Sequence, residues 1–191
     1  IAPIVRITEN NPSQIKRVMD AGAHGIMVPM VNTGAAAQLS VSSVYYPPKG
    51  ERGTGLTRAQ GYGASFSDYK TWLDKEAVVI VMIEHVDAVN SMEEILGVDG
   101  LDAFLVGPYD LSASLGTPGE FETQEFKETM DRITETLGYS KIPGGIHVVE
   151  PDPKVFAKYK EEGFKFIGYG MDTRLIDTIC RDHLVRIRKT I

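Results

Sequence analysis

The stretch Ala77-Val78-Val79-Ile80-Val81-Met82-Ile83-Glu84 joins seven apolar residues, five of them β-branched, to a single carboxylate. An apolar run of this kind is typical of a strand buried on both faces, as in the parallel sheets of α/β proteins. Glu84 would then leave the carboxyl end of that strand, and parallel α/β folds place their chemistry at this end. The stretch therefore predicts a parallel α/β fold with its functional residues at the carboxyl ends of the strands.

Similar short apolar runs recur along the chain and alternate with stretches of helical periodicity. The predicted strands are residues 3–7, 25–30, 77–83, 103–106, 145–149 and 164–169, and the predicted helices are residues 13–21, 66–75, 86–96, 123–137, 153–162 and 173–189. This alternation implies right-handed β-α-β crossovers and a parallel sheet, so we expect residues 1–191 to form one α/β domain. A complete eight-unit barrel usually needs about 250 residues. We therefore expect either a smaller fold or a barrel of which part lies outside this chain.

Composition narrows the class of partner. The formal net charge of -6 argues against nucleic acid or an anionic membrane, and a small molecule fits better. The single cysteine, Cys180, cannot form an internal disulfide, and its apolar helical neighbours predict a packed thiol in a reducing cytoplasm. No apolar run approaches the roughly 20 residues of a membrane span. The first residue, Ile1, is interpreted as a cut or processed end.

Two carboxylates stand at successive predicted strand ends. Glu84 closes one apolar strand, and Asp110 follows the next one. A buried carboxylate needs a cation, a metal or a proton, and two carboxylates without nearby cysteine or paired histidine suit Mg²⁺ or Mn²⁺. The alternatives are that Glu84 caps a helix or forms a salt bridge, and that Asp110 is an ordinary N-cap.

An open metal coordination sphere would suit a 2-oxo acid, which can chelate through its keto and carboxylate oxygens while the metal stabilises the enolate. Arg6 would add a positive charge beside the keto oxygen, although alone it could be a surface charge. The backbone N–H groups of Tyr109 and Asp110 open a short helix and could cradle the carboxylate.

His147 ends another predicted strand and could act as an acid or base at neutral pH. A hydrogen-bonded structural role or a contact to substrate is the alternative interpretation. In the loop that follows Tyr46, Glu51 and Arg52 are expected to pair with each other or to reach across a subunit boundary.

Six segments of the chain together resemble the HpcH/HpaI family of class II pyruvate aldolases, and their spacing is collinear over essentially the whole chain. The segments are Pro3-Ile4-Val5-Arg6, Val28-Pro29-Met30-Val31, Tyr46-Pro47-Pro48-Lys49-Gly50-Glu51-Arg52-Gly53, Ile83-Glu84, Val106-Gly107-Pro108-Tyr109-Asp110-Leu111-Ser112 and Gly170-Met171-Asp172-Thr173.

The resemblance implies a TIM (β/α)8-type barrel of the phosphoenolpyruvate/pyruvate superfamily, with about six β-α units in this chain. It implies reversible aldol cleavage of a 4-hydroxy-2-oxo acid to pyruvate and an aldehyde, as in 4-hydroxy-2-oxoheptanedioate aldolases. Glu84 and Asp110 would hold Mg²⁺, Mn²⁺ or Co²⁺, Arg6 would bind the keto oxygen, and His147 would face the aldehyde. It also implies a homo-oligomer, commonly a hexamer, in which the helix at residues 173–189 packs on a neighbouring subunit.

The resemblance also places two further β-α units, and a base-supplying histidine, before the strand that ends in Arg6. Neither is found within residues 1–191, so the proton would be moved by a base outside them or by water on the cation. Two rival hypotheses follow. One is enolate chemistry on oxaloacetate, dicarboxylic or acyl-CoA substrates, and the other is a truncated barrel that binds a 2-oxo acid without turnover. The aldehyde, the stereochemistry and the preferred metal stay open.

Overall fold

The computed structural model describes residues 1–190 as a six-stranded parallel sheet with helices packed on one side. The strands are β1 (Ile4–Arg6), β2 (Gly25–Val28), β3 (Val78–Ile83), β4 (Ala103–Val106), β5 (Gly144–Val148) and β6 (Phe166–Tyr169). The helices are α1 (Pro12–Asp20), α2 (Gly34–Val44), α3 (Phe66–Glu76), α4 (Val86–Asn90), α5 (Met92–Leu96), α6 (Pro108–Ser114), α7 (Gln124–Leu137), α8 (Pro153–Glu161) and α9 (Asp172–Arg188), with a 3₁₀ helix at Arg58–Gly63.

The strands lie in chain order, β1 to β6, and every neighbouring pair is parallel. All six carboxyl ends therefore lie along one edge of the sheet. The sheet is a half-barrel, with β1 and β6 at its two sides. The predicted α/β class, the parallel sheet and the six strands are confirmed.

Successive side chains along each strand point to opposite faces of the sheet and so form two separate apolar layers. Residues such as Val79, Val81 and Ile83 join the main core, in which the sheet packs against the helices. Ile80 and Met82 point to the other face, where they form a much smaller cluster with Ala103 and Leu105. The large core holds the helices in place, and the opposite face is left to line a cavity.

Two helical details differ from the sequence prediction. Helix α2 was missed because its residues, GAAAQLSVSSV, are small or apolar on every side and show no 3.6-residue periodicity. Its serine hydroxyls at positions 40, 42 and 43 donate to carbonyls within the helix, with Ser43 donating to the Leu39 carbonyl at 2.7 Å. The helix predicted over residues 86–96 is broken at Ser91 into α4 and α5.

Arg52 lies within the loop after α2 and is 3% exposed. Its guanidinium donates to the Val44 carbonyl at 2.8 Å and to the hydroxyls of Tyr46 and Tyr69 at 3.0 and 2.7 Å. The acid beside it is Asp20, at 3.5 Å. The expected pairing with Glu51 is therefore wrong, because burial directs the guanidinium inward, whereas Glu51 is exposed.

Helix α9 extends from the half-barrel without a buried residue. Its exposed apolar side chains are Leu175, Ile176, Ile179, Leu184, Val185 and Ile187. Cys180 is exposed as well, so the expectation of a packed thiol is not met within this chain. Within residues 1–190, none of the helices has the length and apolarity to cross a membrane.

Candidate active site

A cavity of about 600 Å³ opens on the inner face of the sheet at the carboxyl ends of its strands. Four residues singled out from the sequence line it: Arg6, Tyr109, Asp110 and His147. Its remaining walls are mainly apolar and come from all six strands or the segments that follow them. Among these wall residues are Met27, Ile80, Met82, Leu105, Val149, Phe166 and Met171.

Glu84 lies directly behind this cavity and is 1% exposed. Its carboxylate faces Gly107, which lines the cavity and where a Cβ would come within 2.9 Å of Glu84 Oε2. Only glycine leaves room for the carboxylate here. Gly107 was quoted in the sequence motif, but its steric role depends on the contact between β3 and β4.

The two oxygens of Glu84 have different surroundings. Oε1 accepts a hydrogen bond from the Met30 backbone N–H at 2.8 Å, whereas Oε2 is buried and has no hydrogen-bond partner among residues 1–190. Burial raises the pKa of Glu84, and the Asp110 charge raises it further, while the Met30 bond and the Arg6 charge lower it. An acidic oxygen that is shielded from water and unpartnered is a ready ligand for a cation.

Asp110 lies in the first turn of α6, whose N-cap is Gly107. Asp110 is therefore not the N-cap, and its exposed carboxylate faces the cavity. The cap of α4 is His85, whose Nδ1 accepts from the Asp87 N–H at 3.1 Å. The structure thus excludes helix capping as the role of Glu84 or Asp110.

The short helix α6 is held by side-chain bonds rather than by its own length. The Ser112 hydroxyl donates to the Tyr109 carbonyl at 2.8 Å and accepts from the Gly119 N–H at 2.8 Å. The ring of Tyr109 packs edge-on against Phe121, with centroids 5.0 Å apart. These contacts fix the first turn of α6 at the cavity wall.

Arg6 is the last residue of β1 and is exposed at the side of the half-barrel. It brings a positive charge to the cavity that contains Asp110, and that charge also reaches Glu84. Arg6 is thus an exposed charge that lies beside the acidic pair. Across the cavity, His147 is half-buried, and its Nε2 lies 3.4 Å from the Gly170 carbonyl.

The residues described, 1–190, contain no cluster of three or more His, Cys, Asp or Glu side chains that could hold a metal ion. The donor set at this site is a pair of carboxylates. Such a pair fits a hard divalent cation that keeps other positions for water and substrate oxygens.

A parallel α/β half-barrel with two carboxylates and an arginine beside a cavity at the carboxyl ends of its strands is typical of β/α-barrel proteins, which bind small molecules at that end. The sequence model of the HpcH/HpaI aldolase/citrate lyase family matches residues 1–178, and the chain belongs to this family.

Known proteins of similar sequence and structure agree with this assignment. A hydroxypyruvate/pyruvate aldolase of Sagittula stellata is 36% identical over 93% of this chain and 70% of its own length. A 4-hydroxy-2-oxo-heptane-1,7-dioate aldolase of Salmonella paratyphi C is 36% identical over 91% of this chain and 66% of its own. A crystal structure of a family member from Burkholderia cenocepacia superposes with a TM-score of 0.91 at 30% identity, covering 98% of this chain and 74% of that one. The chain thus spans about two thirds of the length of these curated relatives.

The buried carboxylate of Glu84 should lower the stability of the metal-free protein. Its raised pKa means that the folded state binds the proton more tightly than the unfolded state, so the ionised carboxylate lowers stability above that pKa. We expect Glu84→Gln to increase the free energy of unfolding at pH 7.5 by about 1 kcal/mol, the usual scale for a buried unsatisfied polar group. The gain should shrink between pH 7.5 and pH 5, because the pH then approaches the raised pKa of Glu84 and the wild-type carboxyl takes up protons.

Urea unfolding in EDTA at both pH values measures this gain. Glu135→Gln, at an exposed position on α7, is the matched control and should change stability little at either pH. A loss of stability in Glu84→Gln at pH 7.5 would show that the carboxylate is already satisfied without a cation.

Proposed function

We propose that this chain supplies the metal-binding and substrate-binding face of a carbon-carbon lyase with a (β/α)8-type barrel. The reaction is reversible aldol cleavage of a 4-hydroxy-2-oxo acid to pyruvate and an aldehyde. The observation that carries the proposal is the buried, unpartnered Oε2 of Glu84 beside Asp110. Family membership and the aldolase names of the relatives support the same reaction class.

Glu84 and Asp110 would hold the divalent cation, with Mg²⁺ and Mn²⁺ as the best matches to two carboxylates and Co²⁺ as a further candidate. When bound, the cation supplies Lewis-acid polarisation of the keto and carboxylate oxygens of the substrate. Burial is the main cause of the raised pKa of Glu84, and repulsion between the carboxylates of Glu84 and Asp110 raises it further. A cation would remove that repulsion and give Oε2 a partner.

The substrate would lie between Arg6 and the first turn of α6. Arg6 would bind the keto oxygen, where negative charge develops as the enolate forms. The N–H groups of Tyr109 and Asp110 lie in the first turn of α6, where backbone donors lack helical acceptors, and we assign them to the substrate carboxylate. The apolar walls around Met82 and Leu105 would exclude water from the charge that forms.

Proton exchange tests the enolisation step without requiring knowledge of the aldehyde. The methyl protons of pyruvate should exchange with D₂O, as followed by proton NMR, only when Mn²⁺ or Mg²⁺ is present, and EDTA should stop the exchange. We expect Glu84→Ala to slow exchange by at least about 100-fold, since it removes a metal ligand and with it the charge stabilisation. Glu135→Ala on α7 is the control for loss of an exposed carboxylate.

Undiminished exchange in Glu84→Ala would overturn the metal assignment. Tight binding of Mn²⁺ and pyruvate without any exchange in the wild type would instead identify a binding protein without turnover.

We assign His147 to the aldehyde, because it lies on the cavity wall formed by β5 and β6, whereas Arg6 ends β1 and Asp110 lies in α6. Its bond to the Gly170 carbonyl, at 3.4 Å, is long enough to leave the ring free to contact a ligand. In this role it would bond a hydroxyl group beside the aldehyde carbon. The alternative is that His147 transfers the proton itself.

The two roles predict different results for His147→Leu. As an aldehyde contact, the change should leave pyruvate exchange within about threefold and reduce the preference for glycolaldehyde over propanal by about 10-fold, the value of one hydrogen bond. His147→Asn should restore part of that preference. Loss of exchange by 100-fold or more would make His147 the acid or base instead.

We propose a homo-oligomer in which α9 packs on a second copy, because its apolar side chains have no partner within residues 1–190. Ile179→Asp should shift the protein to smaller species in sedimentation velocity, since a charge in a buried apolar contact is unfavourable. Arg188→Asp, nine residues further along and therefore on the opposite side of the helix, should leave the assembly unchanged. Equal sedimentation of wild type and Ile179→Asp would refute this role of α9.

A further inference from the structure

Met30, just beyond the end of β2, has a backbone φ of 52°. A residue with a Cβ rarely adopts this left-handed conformation, which costs roughly 1–2 kcal/mol relative to the common regions. In the described part of the chain, Tyr62 is the one other non-glycine residue with positive φ. Such strain persists only where the surroundings enforce it, and it concentrates at functional sites.

The surroundings of Met30 show what enforces it. Val28 and Val31 are both fully buried, so the chain is fixed on either side of Pro29 and Met30. Between these anchors, the peptide plane that carries the Met30 N–H can turn only if φ at Met30 changes. The left-handed value directs this N–H onto Glu84 Oε1, at 2.8 Å.

Glu84 is thereby held from two directions. The Met30 N–H fixes Oε1 from the β2 side, and the bare Cα of Gly107 bounds Oε2 from the β4 side. The carboxylate can keep this orientation without a third contact, and Oε2 stays unpartnered. The side chain of Met30 is half exposed, so the restraint comes from its backbone.

We propose that Met30 is a positioning residue whose strained backbone presets the Glu84 carboxylate so that Oε2 is free for the divalent cation. This inference rests on the proposed metal site and adds to it a contact that is not itself a ligand. Partners of this kind orient ligands, and their loss commonly weakens metal binding 10- to 100-fold. The conformation at position 30, rather than the methionine side chain, is what the site requires.

Substitutions at position 30 separate backbone from side chain. Met30→Gly removes the side chain but accepts positive φ without strain, so Mn²⁺ affinity should stay within about twofold of wild type. Met30→Val is strongly disfavoured at this φ, and relief of its strain turns the N–H away from Glu84. Its Mn²⁺ affinity, measured by calorimetry without substrate, should fall about 10-fold or more.

Unfolding supplies a second measurement that needs no metal. In EDTA, Met30→Gly should be more stable than Met30→Ala by about fivefold in the unfolding equilibrium constant, because only alanine retains the left-handed strain. This comparison keeps the inference testable even when Met30→Val folds poorly.

Each outcome is decisive. Equal Mn²⁺ affinity in Met30→Val and Met30→Gly would overturn the positioning role, and so would a loss in Met30→Gly as large as that in Met30→Val. An advantage of Met30→Ala over Met30→Gly in stability would overturn the assignment of strain. Failure of the wild type to bind Mn²⁺, or undiminished Mn²⁺ binding in Glu84→Gln, would instead count against the proposed metal site.

Discussion

The site is built around one costly feature, the burial of the Glu84 carboxylate with an oxygen that no group within the described residues 1–190 satisfies. Left alone, a charge in this position opposes folding, and its raised pKa expresses that cost. Gly107 makes room for it, and the Met30 N–H satisfies its other oxygen. Oε2 is left without a partner at the place where we propose that a cation binds.

The half-barrel can tolerate this unsatisfied oxygen because its stability comes from packing in another part of the molecule. The main core lies between the sheet and the helices, whereas the inner face carries only the small cluster around Ile80 and Met82. Buried anchors such as Arg52, with its bonds to Val44, Tyr46 and Tyr69, secure the long loop on the outer side. The main core and the proposed active site therefore lie on opposite faces of the same strands.

The parts of the fold that were predicted are those whose pattern is local. Buried strands such as residues 77–83 and amphipathic helices such as α7 carry their own periodicity, so both were found close to their true bounds. Helix α2 was missed because its exposed face carries Ala35 and Leu39 beside Gln38 and no charged residue, which removes the contrast between its faces. Arg52 was misjudged because nearness in sequence to Glu51 says nothing about which way a guanidinium points.

The sequence by itself determined the parallel α/β class and the family resemblance, and it predicted Arg6, Glu84, Asp110 and His147 as site residues, because strand pattern and residue chemistry are properties of local sequence. The structure decided that Arg6, Asp110 and His147 share one cavity with Glu84 directly behind it, and that Glu84 has one satisfied and one unsatisfied oxygen. It alone revealed the contribution of Met30, which is a backbone angle and an N–H that donates to Glu84, 54 residues further along the chain. Every residue but proline carries the same N–H, so only the packing of β2 against β3 distinguishes this one.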